Sequence, residues 1–171
     1  MPLHTLMFGW EYPPVHSGGL GVACQGLVKG LLQQNVQVTL ILPHAQGVSG
    51  ENLDIRNSTT NDQALLESIR LASVLQPYDT QESFSVRLNS TVIPGSGLAI
   101  EDLYGENLGQ AVELFTAMSV HVTKDLKPDV VHCHDWMTME AGKRAAKYHN
   151  VPLVSHVHAT ELDRTDFHPN P

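Results

Sequence analysis

Basic side chains are scarce in this sequence. Lys and Arg together number 10 against 18 Asp and Glu, a formal net charge of −8. That is too little positive charge to line a surface for nucleic acid or an anionic membrane, both of which are bound through clustered cations. Cysteine is scarcer still. Cys24 and Cys133 are the only two, and they show none of the close pairing of a disulfide framework or a zinc ribbon. Long apolar runs are missing as well: none approaches the roughly 20 residues of a membrane span. The first residues carry no basic stretch followed by an apolar signal core. These absences leave a reduced, soluble, cytoplasmic domain that handles small molecules, with neither nucleic acid nor membrane as partner.

What is present is an ordinary core-forming composition, 42% hydrophobic and 16% charged over 171 residues, enough for one α/β domain over residues 1–171. The short apolar segment from His4 to Trp10 predicts a buried strand over about residues 3–9. Leu20, Cys24, Leu27, Val28, Leu31 and Leu32 recur at spacings of three and four, predicting a helix to about Gln34 with Asn35 as its left-handed stop. Val36 to Leu42 then reads as a strand closed by Pro43. A strand–helix–strand unit of this kind implies parallel pairing and a right-handed crossover, hence an open, mainly parallel, doubly wound sheet with helices on both faces.

Residues 44 to about 63 are rich in Ser, Asn, Thr, Gly and Asp and read as a poorly ordered surface excursion. Strands are expected over 69–75 and 84–92, with a turn at Pro94-Gly95-Ser96-Gly97. Leu108, Ala111, Val112, Phe115, Met118, Val122 and Leu126 keep a helical period and predict one long helix from Asn107 to Asp125. Asp129 to His134 reads as the next buried strand, 137–149 as a helix, and Val151 to His158 as a last short apolar strand. No helix follows to close the sheet, so the chain is expected to be the N-terminal piece of a longer protein.

Ligands of open parallel sheets bind beyond the carboxyl ends of the strands, and three unusual clusters fall at such ends. The first is Glu11-Tyr12-Pro13-Pro14-Val15-His16-Ser17-Gly18-Gly19-Leu20-Gly21. Its prolines stop regular structure, its glycines open the main chain to a ligand, and the helix that follows offers N–H groups and a positive dipole end to an anion. A dinucleotide fingerprint is excluded, because about eight residues separate the strand from the glycines and the next strand ends in Pro43-His44 instead of a ribose-binding carboxylate. Tight strand-to-helix packing is the plainer reason for such glycines.

The other two clusters are His132-Cys133-His134-Asp135-Trp136 and His156-Val157-His158-Ala159-Thr160-Glu161. The period of two places His132 with His134, and His156 with His158, on one face each. A four-histidine metal site, and with it a metal-dependent hydrolase, is one reading of that pattern; core histidines bonded to backbone are another. Asp135 reads equally as the N-cap of the next helix or as a ligand contact. Trp136 reads as packing or as a sugar platform, and Glu161 and Asp163 as solvated loop charges.

Glu11-Tyr12-Pro13-Pro14 followed by Gly18-Gly19-Leu20, the segment Asp129 to Trp136, and the strand ending in Val157-His158 together resemble the N-terminal, acceptor-side domain of bacterial and archaeal glycogen and starch synthases. More broadly they resemble retaining glycosyltransferases of the GT-B fold. The resemblance implies transfer of a glucosyl unit from ADP-glucose or UDP-glucose to an α-1,4-glucan, with retention and with neither cofactor nor metal. It implies that the Gly18-Gly19 main chain faces the donor diphosphate, that His158 lies against the transferred sugar, and that Asp135 bonds near the sugar or acceptor. Glu11, His16, His134 and Trp136 would line the cleft. It also implies a second, nucleotide-binding domain of the same protein outside these 171 residues, without which the chain is expected to be inactive. Two positions depart from the family pattern: His16 stands where a lysine is usual and Val22 where an aspartate is usual. A non-catalytic α/β ligand-binding module is the remaining alternative.

Overall fold

The computed structural model describes residues 2–14, 18–45, 49–58, 108–160 and 163. Five strands form one parallel sheet: β1 (His4–Phe8), β2 (Gln37–Leu42), β3 (Leu53–Asn57), β4 (Val130–His134) and β5 (Leu153–His156), in the order β3-β2-β1-β4-β5. The helices are α1 (Gly19–Gln33), α2 (Leu108–Met118) and α3 (Trp136–His149). This is the expected doubly wound α/β arrangement. No helix among the described residues is long and apolar enough to cross a membrane.

Strand β1 is the axis of the fold. All five of its residues are buried, and alternation along the strand sends them to two separate cores. Leu6 and Phe8 join Val131, Cys133 and Ile41 under α2 and α3, whereas Met7 joins Val38, Leu40 and Leu42 under α1 through Cys24 and Val28. Phe115 of α2 stands edge-on to Phe8 and to Trp10, with ring centroids 6.0 and 5.5 Å away. Helix α1 ends as the sequence predicts, with Asn35 at φ 58°, where a short amide side chain tolerates the left-handed region.

Two expectations are corrected. The stretch expected to be a polar excursion contains β3, paired in register with β2 from Val38–Leu53 to Leu42–Asn57. Leu53 and Ile55 pack on the α1-side core, while Arg56 reaches out to Asp54 at 2.7 Å and Asp125 at 3.0 Å, so half-polar composition is what this edge strand requires. The helix expected to run to Asp125 stops at Met118 and resumes only as the 3₁₀ turn His121–Thr123. There the Ser119 hydroxyl donates to the Thr116 carbonyl (2.8 Å) and the Thr123 hydroxyl to the Ser119 carbonyl (2.7 Å), competing for the carbonyls that an α-helix would use. Val122 and Leu126 nevertheless pack on the core, which is why the apolar period continues past the helix. The strands expected at 69–75 and 84–92, and the turn at Pro94, lie outside the described residues.

Helix α3 lies against the sheet at Gly142, where an added Cβ would meet the Cys133 Cβ at 2.8 Å and the Leu153 Cδ1 at 3.3 Å. Gly142→Ala gains up to about 1 kcal/mol of helix propensity, but the atom it strikes belongs to a central strand and cannot swing aside. We expect a net loss of about 1–2 kcal/mol, read as a lower urea midpoint. Cys133→Ala should not rescue it, because the obstructing Cβ remains.

Candidate functional site

The chain winds outward from β1 through β2 to β3 and then returns to the other side of β1 for β4 and β5. The order therefore reverses between β1 and β4, the switch point where such sheets open a crevice at their carboxyl edge. Phe8 pairs with Cys133 and His134 with His156, so the segments that follow β1, β4 and β5 leave the same edge side by side. The three clusters singled out in the sequence are thus neighbours in space.

After β1 the chain carries buried Trp10 and Glu11 into the first turn of α1. One Glu11 carboxylate oxygen accepts the Gly21 N–H at 3.2 Å. A Cβ at Gly18 would lie 2.8 Å from that same oxygen, whereas a Cβ at Gly19 would meet no described atom within 4 Å. The two glycines therefore do different things: Gly18 makes room for Glu11, and Gly19 leaves the helix terminus open. One N–H of this helix N-terminus is thus met by a side chain of the protein itself. His16 lies outside the described residues. Val22, on the first turns of α1, is exposed.

At the end of β4 the backbone turns sharply at Asp135, which holds φ 57° and ψ 174°, a region that residues other than glycine occupy only under constraint. Asp135 occupies the N-cap position of α3 but makes no side-chain cap bond. The expected capping role is replaced by a bond across to β5: its Oδ1 accepts the His158 N–H at 2.7 Å, and its own N–H donates to the His156 carbonyl at 2.8 Å. Thr138, which sequence reading did not single out, locks the preceding residue. Its Oγ1 accepts the His134 N–H at 2.8 Å and bonds the His134 carbonyl at 2.7 Å. The only sequence signal for this was a threonine on the first turn of the helix.

His134 is fully buried and its Nδ1 lies 2.9 Å from the Nε2 of His158. His132, His134, His156 and His158 stack against one another with ring centroids 4.2–5.7 Å apart. Burial, reinforced by the neighbouring imidazoles, lowers His134 to about 3 and His132 to about 4. His158 is lowered too, by burial first and by His156 second, against the opposing pull of Asp135. These three rings are neutral at neutral pH. The reading of core histidines fits His134, which is buried, but not His156 on β5, where all four residues are exposed. Trp136 is 49% exposed, so it is no core residue. Asp163 accepts the Thr160 N–H and hydroxyl at 2.7 and 2.6 Å, a local turn as expected; Glu161 lies outside the described residues. Burial raises both thiols, Cys24 to about 12, so neither is an activated nucleophile. Among the described residues, the ring nitrogens of His132, His134 and His156, one from each, lie within 4.8 Å of one another.

A parallel α/β sheet with its polar cluster at the switch-point edge defines a Rossmann-like domain, the form taken by the N-terminal half of a GT-B glycosyltransferase. Sequence comparison narrows the class: the profile of the starch synthase catalytic domain matches residues 4–168, and the chain belongs to that family. It is 27% identical to a glycogen synthase of Mycobacterium tuberculosis over 95% of this chain and 35% of that protein. It is 26% identical to an uncharacterised glycosyltransferase of Methanocaldococcus jannaschii over 92% of this chain and 31% of that protein. To a glycogen synthase of Thermotoga maritima it is 30% identical over 74% of this chain and 27% of that protein. The chain spans about a third of the length of these relatives. Membership in this family does not favour the hydrolase or the binding-module alternative.

Two outcomes follow for the clamp and its histidines. Asp135→Gly removes the bond to His158 N–H but relaxes the backbone, whereas Asp135→Ala removes the bond and keeps the strain. Asp135→Ala should therefore be the less stable of the two by about 1–2 kcal/mol in urea unfolding. His132 and His134 set an acid limit. Once unfolded they titrate near 6.5, and in the fold they bind protons only near pH 3–4. Between those values the unfolded chain holds more protons, so their contribution is complete above about pH 6.5 and is lost as the pH falls toward 4. The urea midpoint should drop between about pH 7 and pH 5, and the drop should be shallower in His132→Gln.

Proposed function

We propose that this chain supplies the acceptor-side wall of a retaining glycosyltransferase site, at which a glucosyl unit passes from ADP-glucose or UDP-glucose to an α-glucan. The observation that carries the reading is the position of His158. In a chain of this family, its main chain is fixed by the Asp135 carboxylate and its ring by His134, at the switch-point edge where a ligand would enter. The nucleotide is held largely by a second domain of the same protein, which accords with the shortage of cations in these 171 residues.

In this reading the bond from the anomeric carbon to the diphosphate breaks, and the nucleoside diphosphate leaves with the electron pair. An acceptor hydroxyl attacks from the same face and passes its proton to a leaving phosphate oxygen. The sugar carries positive charge at that moment. A neutral His158 ring can lie against it without repulsion, and the His158 carbonyl and the Asp135 carboxylate add negative potential nearby. The helix α1 terminus faces the phosphates through the open side at Gly19, with Trp136 and His134 on the acceptor side. No cofactor and no metal enters this scheme.

The glycines test the division of labour. Gly18→Ala should lower stability, because the new Cβ meets Glu11. Gly19→Ala should leave the urea midpoint unchanged and, in the protein carrying both domains, should reduce glucosyl transfer from radiolabelled ADP-glucose or UDP-glucose to glycogen. His158→Ala should reduce transfer about a hundredfold or more. Turnover by the 171-residue chain alone, or full activity of His158→Ala, would overturn the proposal.

A further inference from the structure

The glucosyl-transfer scheme leaves two nitrogens unexplained. The Nε2 atoms of His132 and His134 are buried and have no hydrogen-bond partner among the described residues, a condition that folded chains avoid almost everywhere. His44 Nε2 shares it, but His44 belongs to no group of three potential ligands among the described residues. One ring nitrogen of each of these two β4 histidines lies within 4.8 Å of one from a third histidine, His156 of β5, which is exposed.

We infer that His132, His134 and His156 form a binding site for one first-row transition-metal dication of the kind imidazole prefers, zinc above all. The geometry fits such an ion after a small movement. The three ligating nitrogens lie within 4.8 Å of one another, whereas a tetrahedral zinc with bonds of about 2.0–2.1 Å needs them about 3.3 Å apart. His156 stands on an exposed strand and can swing inward, while Thr138 holds the His134 main chain in place.

The surroundings supply what a bound imidazole needs on its other nitrogen. Histidine ligands are oriented by a hydrogen bond from the second ring nitrogen, and His134 Nδ1 already meets His158 Nε2 at 2.9 Å. With the proton on His134 Nδ1, the unpaired Nε2 presents a bare lone pair to the ion. His158 Nε2 is then held as an acceptor, so metal occupancy fixes the hydrogen-bonding state of the ring nearest the proposed sugar position. That consequence rests on the proposed function; the binding itself does not.

Equilibrium dialysis of the chelator-stripped chain against Zn²⁺, with the visible spectrum of the Co²⁺ form as a report on coordination number, tests the site. One ion per chain and a four-coordinate Co²⁺ spectrum are expected. His132→Gln and His156→Gln, at half-buried and exposed positions, should fold with the far-ultraviolet dichroism of the parent. Each should weaken Zn²⁺ binding by more than about a hundredfold, the upper end of the range for losing even an outer-shell partner. His44→Gln should bind as the parent does. The inference is overturned if the chain retains no stoichiometric zinc, if the two β4–β5 variants bind as tightly as the parent, or if the Co²⁺ form is six-coordinate.

Discussion

The carboxyl edge of this sheet depends on one residue that grips its neighbour strand twice. Asp135 donates its N–H to the His156 carbonyl and accepts the His158 N–H on its side chain, so the path of the chain beyond β5 is set from β4. Both bonds require the backbone of Asp135 to bend into a region where side chains are unwelcome, a cost of order 1–3 kcal/mol. Without that bend the amide and the carboxylate could not both face β5. The energy is spent where it positions His158, on a strand whose own residues are exposed and contribute little burial.

A second constraint is electrical. Adding charge to one ring of the histidine stack at this edge disfavours charge on its neighbours, and burial holds His132 and His134 in their neutral state. On the β1 side Glu11 accepts the Gly21 N–H in the first turn of α1, while the Gly19 side of that turn meets no described atom within 4 Å. The two halves of the edge are thereby prepared differently, one by burial of its rings and the other by an internal hydrogen bond.

The β1–α1–β2 unit was legible from sequence because burial enforces clean periods there: β1 is apolar throughout and α1 shows a single stripe ending at Asn35. Strand β3 was not, since only Leu53 and Ile55 face the core while Asp54 and Arg56 give the segment the look of a loop. Helix α2 was read too long because Val122 and Leu126 keep their apolar spacing through a turn that the Ser119 and Thr123 hydroxyls have tightened. At the site, the residues that gather could be found from strand ends alone. Their bonding could not: the positive φ of Asp135, the lock by Thr138 and the His134–His158 contact arise from how β4 and β5 sit in register, which no local pattern reports. The separate duties of Gly18 and Gly19 were hidden for the same reason, because Glu11 lies seven residues before Gly18 and meets it only once α1 is docked.

That last contact ties two positions together as a heritable pair. With glutamate at position 11, its carboxylate oxygen lies where a side chain at position 18 would begin. A residue larger than glycine at 18 therefore displaces that oxygen from the Gly21 N–H it accepts, unless residue 11 has shortened. Change at one position thus alters what the other can tolerate, and the two are expected to vary together.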